Sequence, residues 1–209
     1  MLRILIADDH TVVRRGLKQI LLEEFKSAQI EEVGDAEDLL KKVLKQEWDV
    51  VVSDISMPGK SGLEILQEIK HHYPKLPVLI LSVYPEDQYA VRVLKAGASG
   101  YLNKDSAPDE LVKAIHQVLL GKKYITSSIA EKLATMLDQD ADKLPHESLS
   151  DREFEVMKLL SAGHPVTDIA EKLSLSSTTV STYRARIMTK MNFKTNADLT
   201  LYAINNKLL

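Results

Sequence analysis

Short apolar runs of strand length alternate, over the first 120 or so residues, with longer segments whose apolar residues recur at helical spacing. The runs are ILIA (4–7), VVVS (50–53) and VLIL (78–81), with weaker ones at IEEVG (30–34) and SGYL (99–102). Between them, single helix faces are formed by Val13, Leu17, Ile20 and Leu21, by Leu39, Leu40, Val43 and Leu44, and by Leu63, Leu66 and Ile69. Val91 with Leu94, and Leu111 with Ile115, Val118 and Leu119, make two more. Such a βαβ alternation predicts a parallel sheet with helices on both faces, because parallel neighbours need long crossovers. Ser61 with Glu64 predicts a capping box at the third helix, and Pro85 and Pro108 stand where the fourth and fifth helices should begin.

After Gly121 the pattern changes. SIAEKLATML reads as one helix opened by a capping box of Ser128 and Glu131, and DQDADKLPHES (138–148) is polar and apolar-poor, as a linker should be. From Leu149 onward every segment is helical in pattern. Ser150 and Glu153 form a capping box, Gly163 and Pro165 end that helix, and a short one follows through Ala170 to Leu173. Ser176 caps a longer helix to about Met191, and the last runs from about Asn196 to Asn205. The chain thus divides into an α/β domain (1–121), a linker with one helix (122–147) and an all-α domain (148–209).

No cysteine is present, and the six histidines show no pair at metal-ligand spacing, which excludes disulfides and a Cys-ligated zinc. MLRILIADDH carries too few apolar residues before its carboxylates for a signal-peptide core, and no apolar run approaches the roughly 18 residues of a membrane span. The expectation is a soluble, cytoplasmic protein without a membrane partner. The net charge of −3 conceals a division: residues 1–147 carry 19 Lys+Arg against 24 Asp+Glu, and 148–209 carry 8 against 6. Over the final 38 residues Lys172, Arg184, Arg186, Lys190, Lys194 and Lys207 face only Asp198. A small basic tip is attached to an acidic body.

The third run, VVVS, continues into Asp54, and an unpaired buried carboxylate costs several kcal/mol or more by rough measure. In an open parallel sheet the usable crevice lies at the carboxyl ends of the strands. Asp8 and Asp9 end the first strand, Asp54 the third and Ser82 the fourth, while Lys104 follows the fifth. Converging carboxylates raise one another's pKa unless a cation neutralises them, and hard oxygen donors suit Mg²⁺. Asp54, central in this set, is then the best nucleophile towards a phosphoryl group, with Asp8 and Asp9 left to hold the ion. Lys104 would offset the incoming charge and Ser82 would donate a hydrogen bond to it.

ADDH, SDISMPG, LILS and GYLNKD, in that order and at those strand ends, resemble the receiver domain of bacterial two-component response regulators. The resemblance covers roughly residues 1–120. It implies a flavodoxin-like, doubly wound five-stranded parallel sheet, with Asp54 phosphorylated by a sensor histidine kinase. It further implies that Asp9, Asp54 and the Ser56 carbonyl ligate Mg²⁺, that Asp8 assists through water, and that Ser82 and Tyr101 form a switch pair. Asp105 stands where receivers commonly carry proline after the lysine.

In the basic tip, Thr167 to Leu173, a tight turn near Ser174, and Ser177 to Met191 fit a helix-turn-helix. Val180, Ile187 and Met191, with Tyr183 in part, form the apolar stripe of the second helix. Thr178, Ser181, Thr182, Arg184, Ala185 and Arg186 are left on the other face, where hydroxyls and arginines can read base edges or phosphates. Ser176, Ser177 and the free N–H groups behind them could hold a phosphate, and Lys190 adds a cation. With LSDREFEVMKLLSAG upstream, this part resembles the four-helix LuxR-type domain, and the whole chain resembles a NarL/FixJ-family transcription regulator. Ser174 replaces the Gly or Asn, Ser181 the Lys and Tyr183 the His often found there, so the target sequence does not carry over. The resemblance implies a homodimer on double-stranded promoter DNA, formed when phosphorylated, and no enzyme in the usual sense. A rival reading, an aspartyl-phosphate phosphatase, calls for a second acid two residues after the nucleophile, where this chain has Ser56.

Overall fold

The structure is a computed structural model that describes residues 1–57, 62–138 and 144–209. It forms two compact units, Met1–Met136 and Leu137–Leu209. In the first, strands β1 (Arg3–Ala7), β2 (Gln29–Val33), β3 (Val50–Asp54), β4 (Val78–Ser82) and β5 (Gly100–Asn103) alternate with helices α1 (Thr11–Glu24), α2 (Ala36–Lys45), α3 (Gly62–His72), α4 (Glu86–Lys95) and α5 (Ala107–Leu119). All neighbouring strands pair in parallel, in the order β2-β1-β3-β4-β5. Strand β3 is buried along its whole length because the sheet is covered on both sides.

Alternate residues serve the two faces. Ile4, Ile6, Val50, Val52, Leu79, Leu81 and Leu102 pack with Leu17 and Leu21 of α1 and with Leu111, Ile115 and Val118 of α5. Leu5, Val51 and Ile80 are equally buried on the opposite face, as are Leu39, Val43, Leu66 and Ile69 of α2 and α3. Each such aliphatic side chain contributes about 1.5–3 kcal/mol by burial. Gly62 admits no side chain, because an added Cβ would stand 2.6 Å from the Ile55 Cα. Pro85 precedes α4 and Pro108 lies in the first turn of α5, as expected, whereas the Ser61 cap lies outside the described residues.

Helix α6 (Ser127–Asp138) opens differently from the expectation. Thr126, not Ser128, is its cap, and the Thr126 hydroxyl accepts from the Ile129 N–H at 3.3 Å. The cause lies far away in sequence: the Tyr124 N–H donates to the Ser99 carbonyl and Tyr124 bridges Gly100, which keeps the chain extended to the start of the helix.

The second unit contains α7 (Asp151–Ser161), α8 (Val166–Lys172), α9 (Ser177–Met191) and α10 (Asn196–Asn205) around Phe154, Met157, Leu160, Ile169, Val180, Ile187 and Leu199. Capping boxes start α7 at Ser150 with Glu153 and α10 at Thr195 with Asp198. The end of the expected linker is ordered. Pro145–Ser148 forms a 3₁₀ turn, and His146 stacks on Phe154 with its Nδ1 2.7 Å from the Tyr202 hydroxyl.

Ser174, in the turn between α8 and α9, has φ of 53°, a left-handed conformation that disfavours any residue with a Cβ. Ser174→Gly should therefore stabilise the helical unit by about 0.5–1 kcal/mol. A higher denaturant midpoint is the expected reading, and an unchanged or lower one would show no strain to relieve.

Glu153 is buried and bonded to Lys190 at 2.6 Å and to the Ser150 N–H at 2.7 Å. Burial pushes its carboxyl up, but the Lys190 and Ser150 hydrogen bonds outweigh this and hold it below the ordinary 4.5. Its contribution to stability is thus complete above about 4.5 and is lost as pH falls through the lower folded value. Thermal unfolding of wild type should lose stability in that acid range, and Glu153→Gln should flatten the dependence. Parallel pH curves for the two proteins would contradict this.

Candidate functional site

Parallel pairing places all strand carboxyl ends on one edge of the sheet, and the crossover order makes β1 and β3 neighbours there. Asp8 and Asp9 leave β1, Asp54 is the last residue of β3, Ser82 the last of β4, and Lys104 follows β5. Lys104 Nζ lies 2.6 Å from Asp54 Oδ2 and 2.7 Å from Asp8 Oδ2. Asp54 Oδ1 accepts the Ser56 N–H at 3.0 Å, and Asp8 Oδ1 accepts the His10 N–H at 2.8 Å. Asp8 and Asp54 are 1% and 3% exposed, so both carboxylates are buried at the floor of the edge.

Burial raises the Asp54 carboxyl above its ordinary value, against the lowering effect of Lys104 and of the Ser56 N–H. Burial alone would lower the Lys104 ammonium, but hydrogen bonds to Asp54 and Asp8 raise it, so lysine stays charged between two acids. Asp8, Asp9, His10 and Asp54 each bring one ligand atom within 4.8 Å of the others. Three of these donors are hard carboxylate oxygens, which fits Mg²⁺. His10 was missed by the sequence reading, although it directly follows Asp8 and Asp9. The Lys104–Asp105 peptide is trans, since no cis bond occurs among the described residues.

Ser82 and Tyr101 are on adjacent strands and both bond to Tyr84. The Ser82 hydroxyl accepts the Tyr84 N–H at 3.1 Å, and the Tyr101 hydroxyl donates to the Tyr84 carbonyl at 2.7 Å. Burial pushes the Tyr101 phenol far up. The Tyr101 ring is fully buried.

In the helical unit, the Ser176 hydroxyl caps α9 by accepting the Thr179 N–H at 3.0 Å. Ser177 and Thr178, Ser181 and Thr182, Ala185 and Arg186, and Thr189 and Lys190 form one exposed stripe at helical spacing, opposite buried Val180, Ile187 and Met191. Part of it opens on a hollow of about 280 Å³ lined by Ser176, Thr178, Thr179, Thr182, Tyr183 and Arg186. Thr179 and Tyr183 were not among the expected contact residues. Two of the expected cations are differently placed. Arg184 is half-buried, with its Nε donating to Asn196 Oδ1 at 2.8 Å, and the charge of Lys190 is paired with Glu153.

Residues 4–116 match the response regulator receiver domain, and residues 147–203 match the luxR family of bacterial regulatory proteins. The chain is 38% identical over 212 residues to the response regulator UvrY of Escherichia coli (strain K12), covering 100% of this chain and 96% of UvrY. It is 36% identical over 214 residues to the response regulator GacA of Pseudomonas aeruginosa, covering 100% and 98%. Among solved structures, RcsB from Salmonella enterica serovar Typhimurium, bound to promoter rprA in the presence of the phosphomimetic BeF3⁻, is 28% identical with a TM-score of 0.64, covering 97% of this chain and 98% of RcsB. A two-component response regulator RcsB–DNA complex aligns with a TM-score of 0.58 at 29% identity, covering 96% of each chain. The chain belongs to the NarL/FixJ family of two-component response regulators, in which a receiver domain is joined to a LuxR-type helix-turn-helix DNA-binding domain.

Proposed function

We propose that Asp54 is the phosphoacceptor and that its phosphorylation by a sensor histidine kinase shifts the protein towards a homodimer that binds promoter DNA. The observation that carries this reading is the pair of buried carboxylates bridged by Lys104 at 2.6 and 2.7 Å, at the strand edge where a ligand has access. In the transfer, an Asp54 oxygen attacks phosphorus while the bond from phosphorus to the donor breaks. Asp8, Asp9, Asp54 and the Ser56 carbonyl would hold Mg²⁺, which supplies positive charge against the phosphoryl oxygens when bound. Lys104 exchanges part of its contact with Asp54 for a phosphate oxygen, and Ser82 turns its hydroxyl to another.

Ser82 and Tyr101 both contact the Tyr84 segment, so a change at Ser82 alters what Tyr101 and that segment can bond to. With the Tyr101 ring already buried, this coupling works by locking an arrangement rather than by burying the ring. In the DNA-binding part, Ser176, Ser177, Thr178, Ser181 and Thr182 face the groove from the first half of α9. Arg186, exposed on the same face, supplies a cation, Arg184 supports α9 against α10, and Lys190 acts mainly through Glu153. The division into receiver (1–121), linker (122–147) and DNA-binding domain (148–209) separates signal from output. The regulator works in the cytoplasm and is not an enzyme, since the acyl phosphate is its signal rather than a released product; no helix among the described residues is long and apolar enough to cross a membrane.

A binding-site selection with full-length protein tests this reading. Treated with Mg²⁺ and a small phosphodonor, the protein should enrich paired half-sites about 10 bp apart centre to centre, or at a similar helical spacing. Equal failure to enrich any sequence with and without phosphodonor, alongside steady turnover of phosphate esters, would favour the phosphatase reading instead.

A further inference from the structure

His10 is the N-cap residue of α1, yet its side chain makes no cap hydrogen bond. Caps are normally short side chains whose oxygen accepts a first-turn N–H, and an imidazole serves that purpose poorly. The ring is directed to the acidic cluster instead. Its Nδ1 lies 2.6 Å from Asp9 Oδ1 and 3.3 Å from Asp8 Oδ1, and the ring is 65% exposed, so it is free to adjust to an ion. With one oxygen each from Asp8, Asp9 and Asp54, its donor atom completes a four-atom set within 4.8 Å.

The chemistry of that fourth donor differs from the other three. Mg²⁺ takes oxygen ligands and gains little from an imidazole, whereas Mn²⁺ and the later divalent ions accept nitrogen with increasing affinity. We propose that His10 is a nitrogen ligand of the ion held at this edge and gives the site a preference for transition-metal dications over Mg²⁺, with Mn²⁺ as the ion that reports it. The inference rests on the reading of the acidic cluster as a metal site. Mg²⁺ is held by oxygen donors alone, and Mn²⁺ by the same donors with His10 added. A histidine that only oriented Asp9 through a hydrogen bond would help both ions alike.

The test uses the full-length protein and His10→Gln, at one fixed pH, with Mg²⁺ and Mn²⁺ titrated separately by calorimetry. Pulsed electron paramagnetic resonance of bound Mn²⁺ then reports whether a nitrogen is in its coordination sphere. Because His10 is exposed and makes no cap bond, the variant should keep the wild-type circular dichroism. Nitrogen modulation is expected in wild type and should vanish in His10→Gln. Mn²⁺ affinity should fall about tenfold or more, while Mg²⁺ affinity stays within about twofold. Bound Mn²⁺ without nitrogen modulation in wild type, or an equal fall for both ions, would overturn the assignment of His10. Binding of neither ion to wild type would overturn the metal-site reading itself.

Discussion

Asp54→Asn should reduce Mg²⁺-dependent phosphoryl incorporation from a small phosphodonor to background. The amide keeps an oxygen for the Ser56 N–H, but it offers no anionic nucleophile, and among the described residues no other at this edge combines central placement with contact to Lys104. The fold should survive, because Lys104 retains Asp8 at 2.7 Å and the variant buries one charge fewer. Radiolabelling or a phosphate-affinity gel gives the reading, with circular dichroism as the folding control. A folded variant labelled at the wild-type rate would place the nucleophile elsewhere.

The second large effect concerns two arginines that sequence alone could not separate. Two residues apart on a helix, Arg184 and Arg186 point about 200° from one another. Their surroundings differ: Arg184 is half-buried and bonded to Asn196, while Arg186 is exposed in the stripe and lines the hollow beside Thr182 and Tyr183. Arg186→Ala should cost about 1–3 kcal/mol in DNA affinity and lower the salt slope by about one. Arg184→Ala should instead weaken the α9 to α10 junction, with a lower melting temperature as its main effect. Fluorescence anisotropy across a salt series, paired with thermal melts, separates the two. An unaffected Arg186→Ala beside an Arg184→Ala that loses affinity without losing stability would reverse the assignment.

What could be read from sequence follows from the range of the interactions involved. Strand β3 was legible because VVVS can satisfy a two-sided burial only as an inner parallel strand, and the same pattern located Asp54 at its end. Helix α9 was legible at both limits because Ser176 caps it locally and no glycine or proline interrupts it. Where the outcome depended on distant partners, the pattern failed. The cap of α6 moved to Thr126 because Tyr124 pairs with the β5 end of the sheet, some 24 residues earlier in the chain. Lys190 read as an exposed cation, but Glu153, 37 residues away, holds it. The direction of the His10 ring and the burial of Tyr101 likewise depend on neighbours brought in by folding.

The central claim is that an acyl phosphate on Asp54 controls the affinity of the helix-turn-helix for DNA. It is tested most directly by anisotropy titration of a selected DNA site with wild type and Asp54→Asn, each with and without Mg²⁺ and phosphodonor. The account predicts that phosphodonor tightens wild-type binding about tenfold or more, as expected for a coupling of 1–3 kcal/mol, and leaves the variant unchanged. Binding by wild type that is the same before and after verified phosphorylation would contradict it.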